Sequence, residues 1–122
     1  MQAARQSGVP FELIKAVIEA ESGYEVYAVS PRGAQGLMQL MPAVMHDVGV
    51  SHPFNATENI VGGSLYLRSL LDRFSWNLPV TLAAWNFGPN RVLTEPWPAE
   101  TTAFVRTTTA RYHALKERCG TR

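Results

Sequence analysis

Val9-Pro10-Phe11-Glu12-Leu13-Ile14-Lys15-Ala16-Val17-Ile18-Glu19-Ala20-Glu21-Ser22 reads as an amphipathic helix with a glutamate where a hydrophobe belongs. Pro10 suits the first helical position, where a missing N–H needs no partner. Glu12 falls in the first turn, next to the positive end of the helix dipole. Ile14, Val17 and Ile18 make one apolar stripe, and the next residue on that stripe is Glu21. Glu12, Lys15 and Glu19 fall on the other side and read as a solvated face. Gly23 is a stop signal. A carboxyl group at Glu21 is therefore expected at the edge of the core. Desolvation there raises a carboxylate's pKa, and a carboxyl protonated near neutral pH can serve as a general acid. From this helix alone the alternative stays open that Glu21 swings out to solvent or caps a loop.

The 122 residues suit one domain with one hydrophobic core. The net charge of +1 makes no case for a nucleic-acid partner or a polybasic membrane patch. Lys15 and Lys116 are the only lysines, and the arginines are scattered. Cys119 is the sole cysteine, so no intramolecular disulfide is expected and no oxidising compartment is required. The first ten residues hold no apolar h-region, so no signal peptide is expected in this stretch. This leaves room for a leader or further domains outside it. No apolar run approaches the length of about 20 residues that a transmembrane helix needs.

Helical periodicity recurs along the chain and strand signals are scarce. Tyr24 to Ala34, with Pro31 and Gly33, reads as a loop with a turn. Gly36 to Met41 is a short apolar segment with room for one or two helical turns. Pro42 pushes Met41 out of helix and opens a short helix that Gly49 stops. Asn55 and Glu58 resemble a capping box for a long helix to about Phe74, with Ile60, Leu67, Leu70, Leu71 and Phe74 on its apolar face. Gly62, Gly63 and Ser64 are poor helix formers, and a close backbone approach is the expected reason for them. Asn77 and Pro79 start a helix through Val80, Leu82, Ala83 and Ala84 that ends at Trp85-Asn86-Phe87-Gly88-Pro89. Pro96-Trp97-Pro98 reads as a loop. The last helix runs from about Ala99 to Arg118, with Phe104, Val105, Tyr112 and Leu115 as apolar candidates and Gly120 as its stop. The expected fold class is all-α, a single domain of about five or six helices.

Taken singly, the unusual residues have structural explanations. Gln39 fits a half-exposed position, Met38 and Met41 fill gaps in a core, and Trp85 and Trp97 pack. His46, His52 and His113 lack metal-ligand spacing, so neither a metal nor another cofactor is expected. Cys119 has no histidine at motif spacing, which argues against a thiol nucleophile.

The combination is more informative. Glu21-Ser22, Gly36-Leu37-Met38-Gln39-Leu40-Met41-Pro42, Ala84-Trp85-Asn86-Phe87-Gly88-Pro89 and Glu100-Thr101-x-x-Phe104-Val105 occur in this order. Between them stand Ala28-Val29-Ser30-Pro31-x-Gly33-Ala34-x-Gly36, and Asn59-Ile60 with Gly63 and Tyr66-Leu67. From about Val9 to Tyr112 the chain resembles the catalytic domain of the soluble lytic transglycosylases, the goose-type-lysozyme-like enzymes that cleave peptidoglycan. The resemblance implies the helical lysozyme-like fold and one catalytic residue, Glu21. Glu21 would protonate the glycosidic oxygen between N-acetylmuramic acid and N-acetylglucosamine. It would then take the proton of the muramic acid 6-hydroxyl as that oxygen closes a 1,6-anhydro ring. Glycoside hydrolysis usually needs two carboxylates, whereas the two aspartates here, Asp47 and Asp72, lie in no matched motif.

The resemblance further implies Ser22 and Ser30 as polar support near the acid. It makes Met38, Gln39, Trp85, Asn86 and Glu100 substrate-site residues. The partners it implies are peptidoglycan glycan strands, which places the site of action in the periplasm or cell envelope. Three positions depart from the family pattern. Trp85 stands for the usual tyrosine and lacks its hydroxyl, Phe87 for the usual alanine, and Asn55 for a common aspartate. Two other readings stay open: a lysozyme-type hydrolase of the same fold, and a non-catalytic glycan-binding domain.

Overall fold

The computed structural model describes residues 1–120, and the reading of Cys119 falls on a side chain outside those described. Among the described residues there are six helices and no extended strand. They are α1 (Gln2–Ser7), α2 (Phe11–Ser22), α3 (Pro42–Val48), α4 (Ala56–Arg73), α5 (Leu78–Phe87) and α6 (Ala99–Gly120). The all-α expectation holds, although the six helices are not quite those expected. α1 was not anticipated, and residues 36–41 form turns between two isolated bridges, Val29–Gln35 and Gln35–Leu40. The chain forms two compact units, Met1–Arg68 and Ser69–Arg122.

In the first unit, α2 starts at Phe11, with Pro10 just outside as an extended N-cap rather than the first helical residue. Leu13, Ile14, Ala16, Val17 and Ile18 are all at most 2% exposed, a wider buried face than the single stripe read from the sequence. Gly23 ends the helix at φ 59°, its N–H donating to Glu19 O at 3.1 Å. A left-handed C-cap of this kind favours glycine. α1 is short and mostly polar, so periodicity gave no signal for it. It is held by burial of Ala3 and Ser7 and by Arg68 Nη1 donating to Ser7 O at 2.9 Å.

α4 presents small residues to its neighbours. A side chain at Gly63 would lie within 2.5 Å of Met38 Sδ, and one at Gly62 would collide with Val50. The glycines therefore admit the side chains of Met38 and Val50, where a neighbouring backbone was expected. Asn59 lies on the same stripe, four residues before Gly63, and is fully buried. Its Oδ1 accepts from Met38 N at 2.9 Å. Its Nδ2 donates to Gln35 O at 3.1 Å and Pro53 O at 2.8 Å. Gly36, at φ +80°, has no room for a Cβ against Asn59 Nδ2 and Pro53 O.

The expected capping box forms by half. Glu58 N donates to Asn55 Oδ1 at 2.9 Å. The Glu58 carboxylate turns instead to Ser51 N at 3.0 Å and to His52 N. The backbone N–H of His52 is the main reason the Glu58 carboxyl sits below its ordinary value of 4.5.

In the second unit, Asn77 caps α5 by accepting from Val80 N at 3.1 Å. Thr81, Leu82, Ala83 and Ala84 are buried in it. α6 packs on α5 and buries Thr101, Thr108 and Leu115, spaced by seven residues. Phe104, Val105 and Tyr112, expected as its apolar face, are only half-buried. Two of the three buried positions are threonines, so a count of hydrophobes misplaces the face.

Asn59→Ala is expected to destabilise the chain by about 3 kcal/mol, because the Met38 N–H and the Pro53 carbonyl lose their partner and the Gln35 carbonyl keeps only Leu40 N. Asn55→Ala removes one exposed cap and should cost about 1 kcal/mol. Urea unfolding followed by tryptophan fluorescence distinguishes the two. Because Glu58 is depressed in the folded state, its contribution is present above the unfolded pKa and is lost as pH falls through the folded one. Thermal melts of wild type and Glu58→Gln should therefore converge as pH drops below about 4.5, with the wild type higher above it.

Candidate functional site

The expected site residues fall in both units. In the first unit Glu21 is the penultimate residue of α2 and is half-buried, one turn beyond the fully buried Val17 and Ile18. The helix period thus places it at the core's edge, as its spacing requires. Ser22 follows, and its Oγ donates to Leu37 O at 2.7 Å and lies 3.2 Å from Ile18 O. Tyr24 N donates back to Ser22 Oγ at 3.2 Å. Ser22 therefore fastens the helix end carrying Glu21 to the 36–42 segment.

Gln39 has a left-handed backbone, φ 52°, a conformation that costs a non-glycine residue about 1 kcal/mol or more. Its side chain compensates locally: Nε2 donates to Ala28 O at 3.1 Å and Gly36 O at 3.0 Å. With the amide nitrogen engaged, the carbonyl Oε1 is the group left to accept from a ligand. Strain at a residue so tethered is a mark of a functional position, and the sequence alone gave no sign of it.

Two expected site residues have other work. Met38 is 0% exposed and packs on Gly63. Its side chain is therefore core, and the expected sugar contact is not available to it in this structure. Ser30 closes its own loop, with Oγ accepting from Ala34 N at 3.0 Å and its N–H donating to Ala34 O at 2.9 Å.

In the second unit Trp85 and Asn86 end α5 and are half-buried, while Glu100 is exposed in the first turn of α6. Thr101, beside Glu100, is 1% exposed, and its hydroxyl donates to Asn86 Oδ1 at 2.7 Å. This bond fixes the amide of Asn86 and leaves its Nδ2 hydrogens as donors. Phe87 lies under Arg91, whose guanidinium carbon is 4.0 Å from the ring centroid. Glu95 holds the same guanidinium through bonds of 3.1 and 3.2 Å. Trp97 donates its indole N–H to Val92 O at 2.9 Å, the packing role expected for it.

Asn59 and Thr101, which stand in the matched motifs without a role drawn from the sequence, are positioning residues. Each is a polar residue on a buried helical stripe, the same signal that singled out Glu21. Among the described residues no group of three or more His, Cys, Asp or Glu could hold a metal ion. No helix among them is long and apolar enough to cross a membrane.

The arrangement of helices is shared with lytic transglycosylases of known structure. The 70-kDa soluble lytic transglycosylase of Escherichia coli matches with a TM-score of 0.87 and 27% identity, over 98% of this chain and 24% of that one. An inactive mutant of the lytic transglycosylase Slt from Pseudomonas aeruginosa matches with a TM-score of 0.85 and 24% identity, over 98% and 23%. This is the lysozyme-like helical fold. Residues 1–101 match the model of the transglycosylase SLT domain, and the chain belongs to that family. The transglycosylase of Enterobacteria phage PRD1 is 35% identical over 84% of this chain and 37% of its own length. The membrane-bound lytic murein transglycosylase F of Desulfosudis oleivorans is 35% identical over 75% and 21%. The chain thus spans well under half the length of these relatives.

Thr101→Val, which keeps the shape and removes the hydroxyl, should cost about 1 kcal/mol of stability and release the Asn86 amide. Thr101→Ser should retain both. Thermal melts measure the first effect. The Asn86 side-chain NH2 resonances, which should broaden only in the valine variant, measure the second.

Proposed function

We propose that the chain is the catalytic domain of a peptidoglycan lytic transglycosylase, with Glu21 as the single general acid/base. It cleaves the β-1,4 bond between N-acetylmuramic acid and N-acetylglucosamine. The observation that carries this reading is the placement of Glu21, half-buried at the end of α2, in a chain of the transglycosylase SLT family.

The Glu21 carboxyl gives its proton to the glycosidic oxygen, and the bond from that oxygen to C1 breaks. The muramic acid 6-hydroxyl oxygen then bonds to C1, and its proton passes to the Glu21 carboxylate. The acid is regenerated and no water is consumed, so the products are a 1,6-anhydro end and a free N-acetylglucosamine 4-hydroxyl. A residue that works in both directions needs no second carboxylate beside it. The candidates for one are engaged elsewhere: Asp47 is exposed beside His46, and Asp72 accepts from the Trp76 indole at 3.0 Å. The substrate's own N-acetyl group is left to stabilise the positive charge that develops at C1.

Gln39 Oε1 and the Asn86 amide hydrogens supply hydrogen-bonding groups for sugar substituents, and Trp85 supplies indole surface. Ser22 and Thr101 hold the segments that carry them. Glycan strands as substrate place the activity in the periplasm or cell envelope.

Glu21→Gln is expected to keep the far-UV circular dichroism of the wild type and to lose cleavage by about 1,000-fold. Mass spectrometry of digested peptidoglycan should find anhydro-muropeptides with the wild type only. Reducing ends in their place would mean a water-delivering hydrolase on the same scaffold. Undiminished product from the variant would remove Glu21 from the mechanism.

A further inference from the structure

Tyr27 and Phe54 are large aromatic residues that folding leaves mostly and partly in solvent, respectively. Tyr27 is 78% exposed and Phe54 36%. They are 27 residues apart in sequence, yet their ring centroids are 5.9 Å apart at an interplanar angle of 45°. This distance is within the range of a favourable aromatic pair. Burial of apolar area drives folding, so an exposed ring pair indicates a surface with another use.

The backbone under both rings is unusually well fixed. Beside Tyr27, the carbonyl of Ala28 accepts from Gly36 N at 2.8 Å and from Gln39 Nε2 at 3.1 Å. Beside Phe54, the carbonyl of Pro53 accepts from Asn59 Nδ2 at 2.8 Å. Asn59 also holds Gln35 and Met38, the residues flanking the loop of Gln39. The backbone under the platform is thus joined by hydrogen bonds to the segment that carries the strained, tethered Gln39. Rigid aromatic groups lose little freedom on binding, which favours affinity.

We propose that Tyr27 and Phe54 form an additional sugar subsite, a stacking platform for one further pyranose ring of the glycan strand. This inference rests on the proposed function and specifies how that site extends along its substrate. The chemistry favours a sugar over the stem peptide. A pyranose has an apolar face of C–H groups that stacks on an aromatic ring, and a rim of hydroxyls that a phenol can meet. Neither ring carries a charge with which to select a peptide carboxylate or ammonium group.

The test measures affinity, so it does not depend on cleavage. Isothermal titration calorimetry compares Glu21→Gln with the triple variant Glu21→Gln/Tyr27→Ala/Phe54→Ala on stem-free glycan oligomers of increasing length. The expected result is an affinity lower by about tenfold for the longer oligomers, a loss of the size that one missing aromatic stack gives. The shortest oligomers bound should show no change, and Tyr27→Phe in place of Tyr27→Ala should retain most of the affinity. Tyr27→Ala on its own should leave the melting temperature of Glu21→Gln unchanged, because that ring is mostly in solvent. Equal affinities at every length would overturn the platform, as would a loss seen only on strands that still carry stem peptides. Cleavage by the wild type together with equal affinities refutes the platform and spares Glu21. Length-dependent binding without cleavage by the wild type refutes the catalytic reading and spares the platform. An absence of binding to any glycan refutes both.

Discussion

The side-chain amide of Asn59 bonds three main-chain groups: the N–H of Met38, the carbonyl of Pro53 and the carbonyl of Gln35, the last of which also accepts from Leu40 N at 3.0 Å. A buried main-chain group without a partner costs on the order of 1–3 kcal/mol. One residue therefore decides an energy comparable to a large part of the stability of a small domain. It also decides geometry. The loop that carries Gln39 has two isolated bridges and no helix of its own, so its shape is set by these tertiary bonds. Gly36 and Gly63 are the space that this arrangement requires, the first for the amide itself and the second for Met38.

Gln39 shows the consequence at the next level. A left-handed glutamine costs about 1 kcal/mol or more, while two side-chain bonds to main-chain carbonyls return about 1 kcal/mol each. The conformation is thus near balance locally and is tipped by the clamp beneath it. A fixed acceptor oxygen results, on a backbone that also supports Tyr27. Ser22 links the same segment to the end of α2 through Leu37. The helix end that carries Glu21 and the segment that carries Gln39 are therefore joined by hydrogen bonds rather than being two independent loops.

The second unit fixes a polar side chain by a direct bond to another side chain. Thr101 and Asn86 meet through a 2.7 Å hydrogen bond between α6 and the end of α5. Arg91 lies over Phe87, with Glu95 holding the guanidinium. The bulk that Phe87 adds is thus partly covered by a neighbour from the following loop. In both units a half-buried polar side chain that can face a ligand is oriented by hydrogen bonds, Gln39 by two main-chain carbonyls and Asn86 by the buried Thr101 hydroxyl. Preorganisation of this kind is what makes a few polar groups effective in recognition.

The approximate positions of α2 to α6, the caps at Gly23, Gly49 and Asn77 and the place of Glu21 on its helix were determined by the sequence alone, because they depend on neighbours within a few residues. The period of Ile14, Val17, Ile18 and Glu21 puts the carboxylate at the core's edge, and Gly23, Gly49 and Asn77 end or begin helices through local backbone preference. The tertiary structure decided the rest. α1 has too few residues to show a period, and it exists through Ser7 and Arg68, 61 residues apart. Met38 looks like a groove residue in its motif and is core, because Gly63 leaves a space that only its side chain fills. The threonine face of α6 hides from a count of hydrophobes, since its burial depends on α5. The tether of Gln39 to Ala28 spans 11 residues and the pairing of Tyr27 with Phe54 spans 27. Contacts at such separations depend on the whole packed chain, so no local pattern encodes them.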